Sequence, residues 1–507
     1  MIAVTPPPVK SPAASAVRSG AVTAVVCVAL AAVVAAMSSL NVALPEIARS
    51  THATQTQLAW IIDAYSLVFA SLLLPAGAFG DRYGRRLALL AGLTVFGAGS
   101  AVAMTAHSAT ELIALRAILG LGAALVMPAT LSTITGTFAS EQRTRAVSVW
   151  AAVAGGAAIL GLLTSGIVLE VWSWPSVFGL NVILAGVGIA GVLRFVPESA
   201  DPKAPRLDVR GAVLAVIGMV ALVYSIIEAP SHGWLSARTL AGLGVGVVIL
   251  AGFIVFELRQ RNPLLDPRVF ASRRLSAGSL SNFVQFFAFF GFIFLVLQYL
   301  QLIRGDSGLV SAVSMLPMAA AMMPAARLAP ALVARIGVRA TCTSGLLLMA
   351  AALVVLAQLT GASSYWLVAV GLIPLGAGMG LATTPATSGI TAALPASQQG
   401  VGSAINDLSR EVGGAVGIAV LASVLTSTYQ GHLHLSHHLP AAEVGQARAS
   451  VALATRLGGT VAAQAHTAFA DGFHLALLIA AGLVVAAAIA VATLLRGRDR
   501  SASGAAA

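Results

Sequence analysis

The sequence predicts an all-α polytopic membrane protein with fourteen spans, arranged six, two and six, with both termini cytoplasmic. Three observations carry that prediction. The composition cannot clothe a soluble surface, apolar runs repeatedly reach membrane-spanning length, and a basic loop motif recurs at equivalent places in the two ends of the chain. Of 507 residues, 58% are hydrophobic and 9% charged, and mean hydropathy is +0.92. A soluble surface needs roughly 25% charged residues, so a soluble enzyme, a secreted disulfide scaffold and a disordered chain are excluded. The formal charge of +11 does not point to nucleic acid, because the only lysines are Lys10 and Lys203 and the arginines are scattered through short loops. Cys27 and Cys342 fall in separate apolar segments, so neither a disulfide framework nor a metal site follows, and no cofactor is implied.

About 20 helical residues cross a hydrocarbon core of roughly 30 Å. Segments of that length begin near Ala21, Gln57, Leu87, Glu111, Ala146, Pro175, Gly211, Thr239, Ala277, Leu309, Thr341, Tyr365, Gly402 and Gly472. The first, Ala21 to Leu44, is longer than a signal-peptide core despite the small residues Ala29 and Ala31, and reads as a span. With both termini inside, the outside loops hold only Arg49, Arg238, Arg304, Arg448 and Arg456, and the spans only Arg116 and Arg410. All other Lys and Arg lie inside, as the positive-inside rule requires.

The loop after span 2 reads AFGDRYGRR (78–86) and the loop after span 10 reads ALVARIGVR (331–339), sharing Ala, Arg, Gly and Arg without a gap. A weaker echo links Gly155 and Gly156 in span 5 with Gly413 and Gly414 in span 13. Spans 1–6 therefore pair with spans 9–14, and spans 7 and 8 form an inserted hairpin. The expected organisation is a tail at 1–20, a six-helix half at 21–196, the hairpin at 211–257, and a second half at 275–495. That second half carries a long outer loop at 429–471, and a tail follows at 496–507. Parallel six-span repeats are a common plan of secondary transporters, with the substrate site between the halves near the midplane.

The stretch Gly77-Ala-Phe-Gly-Asp81-Arg82-Tyr-Gly84-Arg85-Arg86 resembles the signature of the major facilitator superfamily between its second and third helices. Fourteen spans narrow the resemblance to the drug:proton antiporter branch of the QacA/EmrB type. Further matching stretches are Asn41-Val-Ala-Leu-Pro45, Trp60-Ile-Ile-Asp63-Ala-Tyr65, Arg116 with Gly120 and Gly122, and 400–414 with Asp407, Arg410, Glu411 and Gly414. The resemblance implies a major facilitator fold and marks Gly77, Asp81, Arg82, Gly84, Arg85 and Arg86 as conformational residues, with Arg116, Arg410 and Gly161 beside them. Three positions depart from the family pattern: Ala36 stands where span 1 usually has an acid, Leu162 where a helix-bending proline follows Gly161, and Ile183 where a proline follows Asn181-Val182. They leave the antiport stoichiometry open.

An ionised side chain near the bilayer centre costs several kcal/mol, so each must pair, neutralise or face water. The spans hold Asp63, Arg116, Asp407, Arg410 and Glu411. Asp63, Asp407 and Glu411 are the proton-coupling candidates. Asp63 is first because it has no charged neighbour close in sequence; the competing reading is a hydrated residue near the outer interface. Asp407 and Arg410, three apart, can share a helix face, and a local ion pair is favoured there over a transport role. Arg116 needs a carboxylate or carbonyl partner, with Asp63 as one option.

Span 9 holds Phe283, Phe286, Phe287, Phe289, Phe290, Phe292 and Phe294 together with Asn282 and Gln285. Most of these rings are expected to meet lipid, whereas the face with Asn282, Gln285 and Phe289 is the cavity candidate, since amides avoid lipid. Trp60, Tyr65 and Asn41 complete the expected cavity. The outer histidines His432, His434, His437, His438, His466 and His474 read as a solvated loop ahead of a metal site or an acid sensor.

These features predict proton-coupled efflux of lipophilic or cationic small molecules across a bacterial cytoplasmic membrane by alternating access. The expected partners are the substrate, protons and the bilayer, with no nucleic acid; the oligomeric state stays open. Alternatives are an exporter of an endogenous metabolite or antibiotic, and a transport-silent relative acting as sensor or partner. An ATP-driven pump lacks a Walker lysine, and a membrane-embedded enzyme lacks clustered catalytic acids.

Overall fold

The structure, a computed structural model, describes residues 12–138, 140–200, 208–260, 263–394, 399–435 and 439–496. The expected tails therefore lie largely outside the described residues. Thirteen helices among the described residues are long and apolar enough to cross a membrane. They are α1 Pro12–Thr51, α2 Gln55–Tyr83, α3 Arg85–Ala103, α4 Ala109–Thr137, α5 Ser140–Val171, α6 Pro175–Phe195, α7 Val209–Ile227, α8 Ala237–Arg259, α9 Arg273–Gln298, α10 Leu316–Ala357, α11 Tyr365–Ala392, α12 Gln399–His432 and α13 Gly459–Leu494.

Local chemistry sets several ends. Thr54 and Gln57 form a reciprocal capping box at α2 (2.9 and 3.1 Å), and Ser108 and Glu111 do the same at α4 (3.2 Å each way). Both helices thus start one turn before the apolar run does. The α10 segment and the short helix Gly308–Val313 before it form one candidate span of 50 residues. A straight helix of that length would reach about 75 Å, more than twice a hydrocarbon core. It is broken at Gly337 (φ 83, ψ 162), in the second basic loop. The matching residue of the first loop, Gly84 (φ 127, ψ 128), separates α2 from α3. Positive φ at both positions explains why glycine is the shared residue.

The packing repeats as well. In the first six helices, α1 lies on α5 and α6, α4 on α2 and α3, and α3 on α6. In the last group, α9 lies on α12 and α13, α11 on α10, and α10 on α13. Glycines make the tightest crossings. A Cβ on Gly92 of α3 would sit 2.8 Å from the Gly122 carbonyl of α4, and one on Gly345 of α10 would sit 2.7 Å from the Gly378 carbonyl of α11. Small residues that let backbones touch are the usual adhesive between membrane helices.

Two readings of the sequence change here. The Gly155–Gly156 echo is not a packing match, because those glycines face open space, whereas Gly413 and Gly414 press on α9. In α5 the crossing residue is Gly161, whose Cβ would lie 2.5 Å from the Ala35 carbonyl of α1. The long loop expected at 429–471 is largely helical. Short helices Ala441–Ala449 and Val451–Leu457 fill it, and α13 begins at Gly459. Its alanine-rich 459–471 stretch favours helix without forming part of a membrane-length apolar run.

The hairpin of α7 and α8 packs through α7 on both α2 and α12. Only 11% of the most apolar stretch of α8 is buried. Ser423 Oγ donates to the Ile226 carbonyl (2.7 Å) and the Trp234 indole to Ser427 Oγ (2.9 Å), fixing the hairpin to α12.

Gly92→Leu and Gly345→Leu should each cost roughly 1–3 kcal/mol or more by overpacking a backbone crossing. Gly155→Leu should be neutral. Melting temperatures of the three purified variants in one detergent check this, and equal behaviour would remove the crossing role.

Candidate functional site

The first cluster of intramembrane charge is built by α1, α2 and α4. Close approach of α2 and α4 is set by Gly120, whose Cβ would be 2.5 Å from the Tyr65 carbonyl. Arg116 is 1% exposed. Its Nε donates to the Ile61 carbonyl at 2.9 Å and its Nη1 to the Ala36 carbonyl at 3.3 Å. The guanidinium lies 4.2 Å from the centre of the Tyr65 ring, whose hydroxyl donates to the Val33 carbonyl at 2.9 Å. Arg116 thus satisfies itself with backbone oxygen and an aromatic face, and the Asp63 partner offered by the sequence is not used. Nη2 remains without a hydrogen bond, and so do both carboxyl oxygens of Asp63, which is completely enclosed. Asp63 is therefore no hydrated interfacial residue in this conformation.

Asn41, one turn before Pro45, donates to the Met37 and Ser38 carbonyls (3.3 Å each) and leaves its Oδ1 unanswered. Trp60 points towards the α7–α8 hairpin: its indole donates to Glu228 Oε1 at 2.9 Å and its ring lies 5.7 Å from that of Tyr224.

The second cluster joins α9, α11 and α12. Asn406 Oδ1 accepts from Asn282 Nδ2 (2.7 Å) and from Thr387 Oγ1 (2.9 Å), and its amide donates to Asp407 (3.2 Å). Asp407 lies 3.9 Å from Arg410, whose guanidinium sits 4.4 Å from the Phe286 ring centre. Gln285 donates to Ser281 and accepts from Thr383 Oγ1 at 2.7 Å. Asn282 and Gln285 are both fully enclosed, so neither faces open space, and Asn282 Oδ1 has no hydrogen-bond partner. Glu411 is 5% exposed and its Oε2 has no partner.

The lipid-facing assignment of the phenylalanines is overturned. Phe286, Phe287, Phe292 and Phe294 are buried in protein. Gly413 and Gly417 bring α12 onto the backbone of Phe283 and Phe287, which places α9 inside the bundle. Phe289, half-buried, meets Phe290 edge-on at 5.1 Å.

At the loop between α2 and α3, Asp81 and Arg85 form an ion pair at 3.0 Å. Arg86 Nη2 donates to the Leu193 carbonyl (3.0 Å), and Arg82 lies 5.8 Å from the Tyr83 ring centre. Gly77 passes close to Pro128 of α4. The Glu198 carboxylate, which no spacing pointed to, fills the space where a Gly84 side chain would go.

Further residues missed by sequence reasoning tie the first and last helix groups at the opposite end. Gln55 bonds to Gln298 (2.9 Å), Gln301 to the Val42 carbonyl (3.0 Å), Ser307 to Glu170 (2.5 Å) and Arg456 to the Arg49 carbonyl (3.1 Å). Nearby, His432 meets Asp471 at 2.8 Å, a carboxylate the sequence reading did not supply. No group of three metal-ligating side chains occurs among the described residues, and His437 and His438 lie outside them.

The sequence profile of the Major Facilitator Superfamily matches residues 26–418. The chain is 36% identical over 425 residues to the methyl viologen resistance protein SmvA of Salmonella typhimurium, covering 83% of this chain and 86% of that one. It is 33% identical over 467 residues to the multidrug efflux pump LfrA of Mycolicibacterium smegmatis (90% and 92%). It is 31% identical over 500 residues to the tetracenomycin C resistance and export protein of Streptomyces glaucescens (95% and 93%). Among solved structures, an inward-facing, unoccupied bacterial homolog of the human lysosomal transporter Spinster shares the fold with a TM-score of 0.67. The likeness covers 96% of this chain and 98% of that one at 16% identity. The chain is a multi-pass membrane transporter and not an enzyme, and it belongs to the Major Facilitator Superfamily.

Proposed function

We propose that this protein is a proton-coupled exporter of lipophilic or cationic small molecules, working by alternating access in a bacterial cytoplasmic membrane. The observation that carries the reading is Asp63: a completely enclosed carboxyl with no hydrogen-bond partner on either oxygen. A carboxyl in that setting is tolerated when a proton or a cation removes its charge, and coupling follows if the two compete. Glu411 and Asp407 lie on α12, which packs along the α2 helix that bears Asp63, so acids of both helix groups adjoin one seam. The relatives named for multidrug efflux and for methyl viologen resistance support a cargo of this kind.

The architecture proposed with this function is fourteen crossings, six, two and six, with both termini cytoplasmic and α10 counted twice across its break at Gly337. In that orientation the hydrogen bonds from Gln55, Gln301, Ser307 and Arg456 close the outer end, and the conformation is inward-facing. The branch is the fourteen-helix drug:proton antiporter type. A second reading, export of a single antibiotic or endogenous metabolite, is favoured by the relative named for tetracenomycin C export, which matches 95% of this chain.

Proteoliposomes with an imposed pH gradient test the coupling. Asp63→Asn should abolish uphill, pH-driven transport while substrate binding persists, whereas Asp407→Asn should chiefly lower stability by loosening the Asn406 and Arg410 contacts. An Asp63→Asn protein that still concentrates substrate at the wild-type rate ends the assignment.

Asp81→Asn removes the ion pair with Arg85 but touches no enclosed acid. Turnover should fall by roughly tenfold, the effect of about 1.4 kcal/mol on a barrier, with substrate affinity unchanged. Equal losses in both would place Asp81 in binding instead.

Orientation is open to cysteine labelling, since Cys27 and Cys342 are both buried and give little background. A cysteine at Tyr83 should resist an impermeant maleimide in intact cells and one at Gly305 should react. The reverse pattern inverts the topology.

A further inference from the structure

The two basic loops repeat in sequence but not in chemistry. In the first, Arg85 pairs with Asp81 at 3.0 Å and its guanidinium presses against Gly136 near the end of α4. In the second, the gapless match puts Ala334 at the Asp81 position and Val338 at the Arg85 position. Counting on from the paired glycines, with Gly122 answering to Gly378, puts Ala392 of α11 opposite Gly136. Between Val338 and Ala392 the structure holds a cavity of ≈ 370 Å³ in place of the arginine. It is lined by Arg273, Arg274 and Arg339 and walled by apolar groups that include Leu494 of the last turn of α13.

The charge around this cavity is one-sided. Among the described residues, none that lines it is an acid. No described carboxylate pairs with any of the three arginines. Arg273 and Arg274 open α9, whose first turn has no acidic residue, so the positive end of that helix adds to the field. The lining comes from the ends of membrane helices, the depth at which phosphate headgroups lie, and basic pockets between helices at that level suit anionic headgroups. An inorganic anion would have no use for the apolar wall.

We propose that this cavity is a binding site for an anionic phospholipid, with the phosphate held by Arg273, Arg274 and Arg339 and the acyl portion against the Leu494 side. The proposal concerns a lipid ligand and is independent of cargo and of proton coupling.

The test is lipid binding to the purified full-length protein, measured by native mass spectrometry and by melting temperature in detergent. The probes are phosphatidylglycerol, phosphatidylethanolamine and inorganic phosphate. Phosphatidylglycerol should bind and raise the melting temperature, while the other two should do neither. Arg339→Gln and Arg274→Gln should each weaken phosphatidylglycerol binding roughly fivefold, near 1 kcal/mol per arginine. The decisive variant is Ala334→Asp with Val338→Arg, which rebuilds the first loop's ion pair, fills the cavity and leaves the net charge unchanged. It should abolish lipid binding without lowering the lipid-free melting temperature. If that double variant does not fold, the two single arginine variants decide the matter alone. Undiminished binding in the folded double variant or in both arginine variants overturns the site. Equal binding of phosphatidylethanolamine, or full competition by inorganic phosphate, overturns the assignment to an anionic lipid.

Discussion

Contact between helix backbones is what this structure depends on. Lipid tails are as apolar as the side chains they surround, so hiding leucine from them gains little, and membrane helices adhere where they approach closely enough to pack backbone on backbone. Gly92 against Gly122, Gly345 against Gly378, Gly161 against Ala35, and Gly413 and Gly417 against α9 supply those approaches. Everything at the site follows from them. Arg116 reaches the carbonyls of Ile61 and Ala36 because α1, α2 and α4 are drawn together, and Phe286 lies beside Arg410 because α12 rests on the backbone of α9.

The two halves use that common scaffold for different electrostatics. In the first, a lone arginine is satisfied by backbone oxygen and a tyrosine face, and a lone aspartate is satisfied by nothing. In the second, an arginine and an aspartate sit in a chain of amides and hydroxyls running from Asn282 through Asn406, with Glu411 just beyond it. A network in which most polar groups are answered resists change, while an unanswered charge has to change its surroundings or its protonation. Asp63 is thus the carboxyl with both oxygens unanswered, while in the second cluster Asp407 is held by Asn406 and Arg410, and Asn282 Oδ1, Arg410 Nε and Glu411 Oε2 stay unpaired.

Periodicity and length made much of the helix inventory legible, and the glycine shared by the two basic loops marked both breaks because positive φ is a property of the residue itself. Burial of the phenylalanines in α9 was not legible. An apolar ring is equally at home against lipid and protein, and only the glycines of a helix more than a hundred residues away decide between them. The cross-helix amide bonds of Asn282 and the Glu198 carboxylate at Gly84 were hidden for the same reason: their partners are set by tertiary packing and leave no local spacing. Ala334 and Val338 were visible as departures from the repeat, but a cavity is a property of what surrounds the missing atoms.

The α8 helix is the spanning helix that the rest of the protein covers least among the described residues. With so little of it covered by protein, its 23 residues, about 34 Å of helix, are matched to the bilayer rather than to a neighbour. A change in hydrocarbon thickness costs fractions of a kcal/mol per ångström of mismatch and is relieved by tilt. Tilt of α8 pulls on α7, and α7 is joined to α2 through Trp60 and Glu228 and to α12 through Ser423. The hydrogen bonds of α7 to α2 and α12 are therefore the contacts that would carry any tilt of the hairpin into the rest of the bundle.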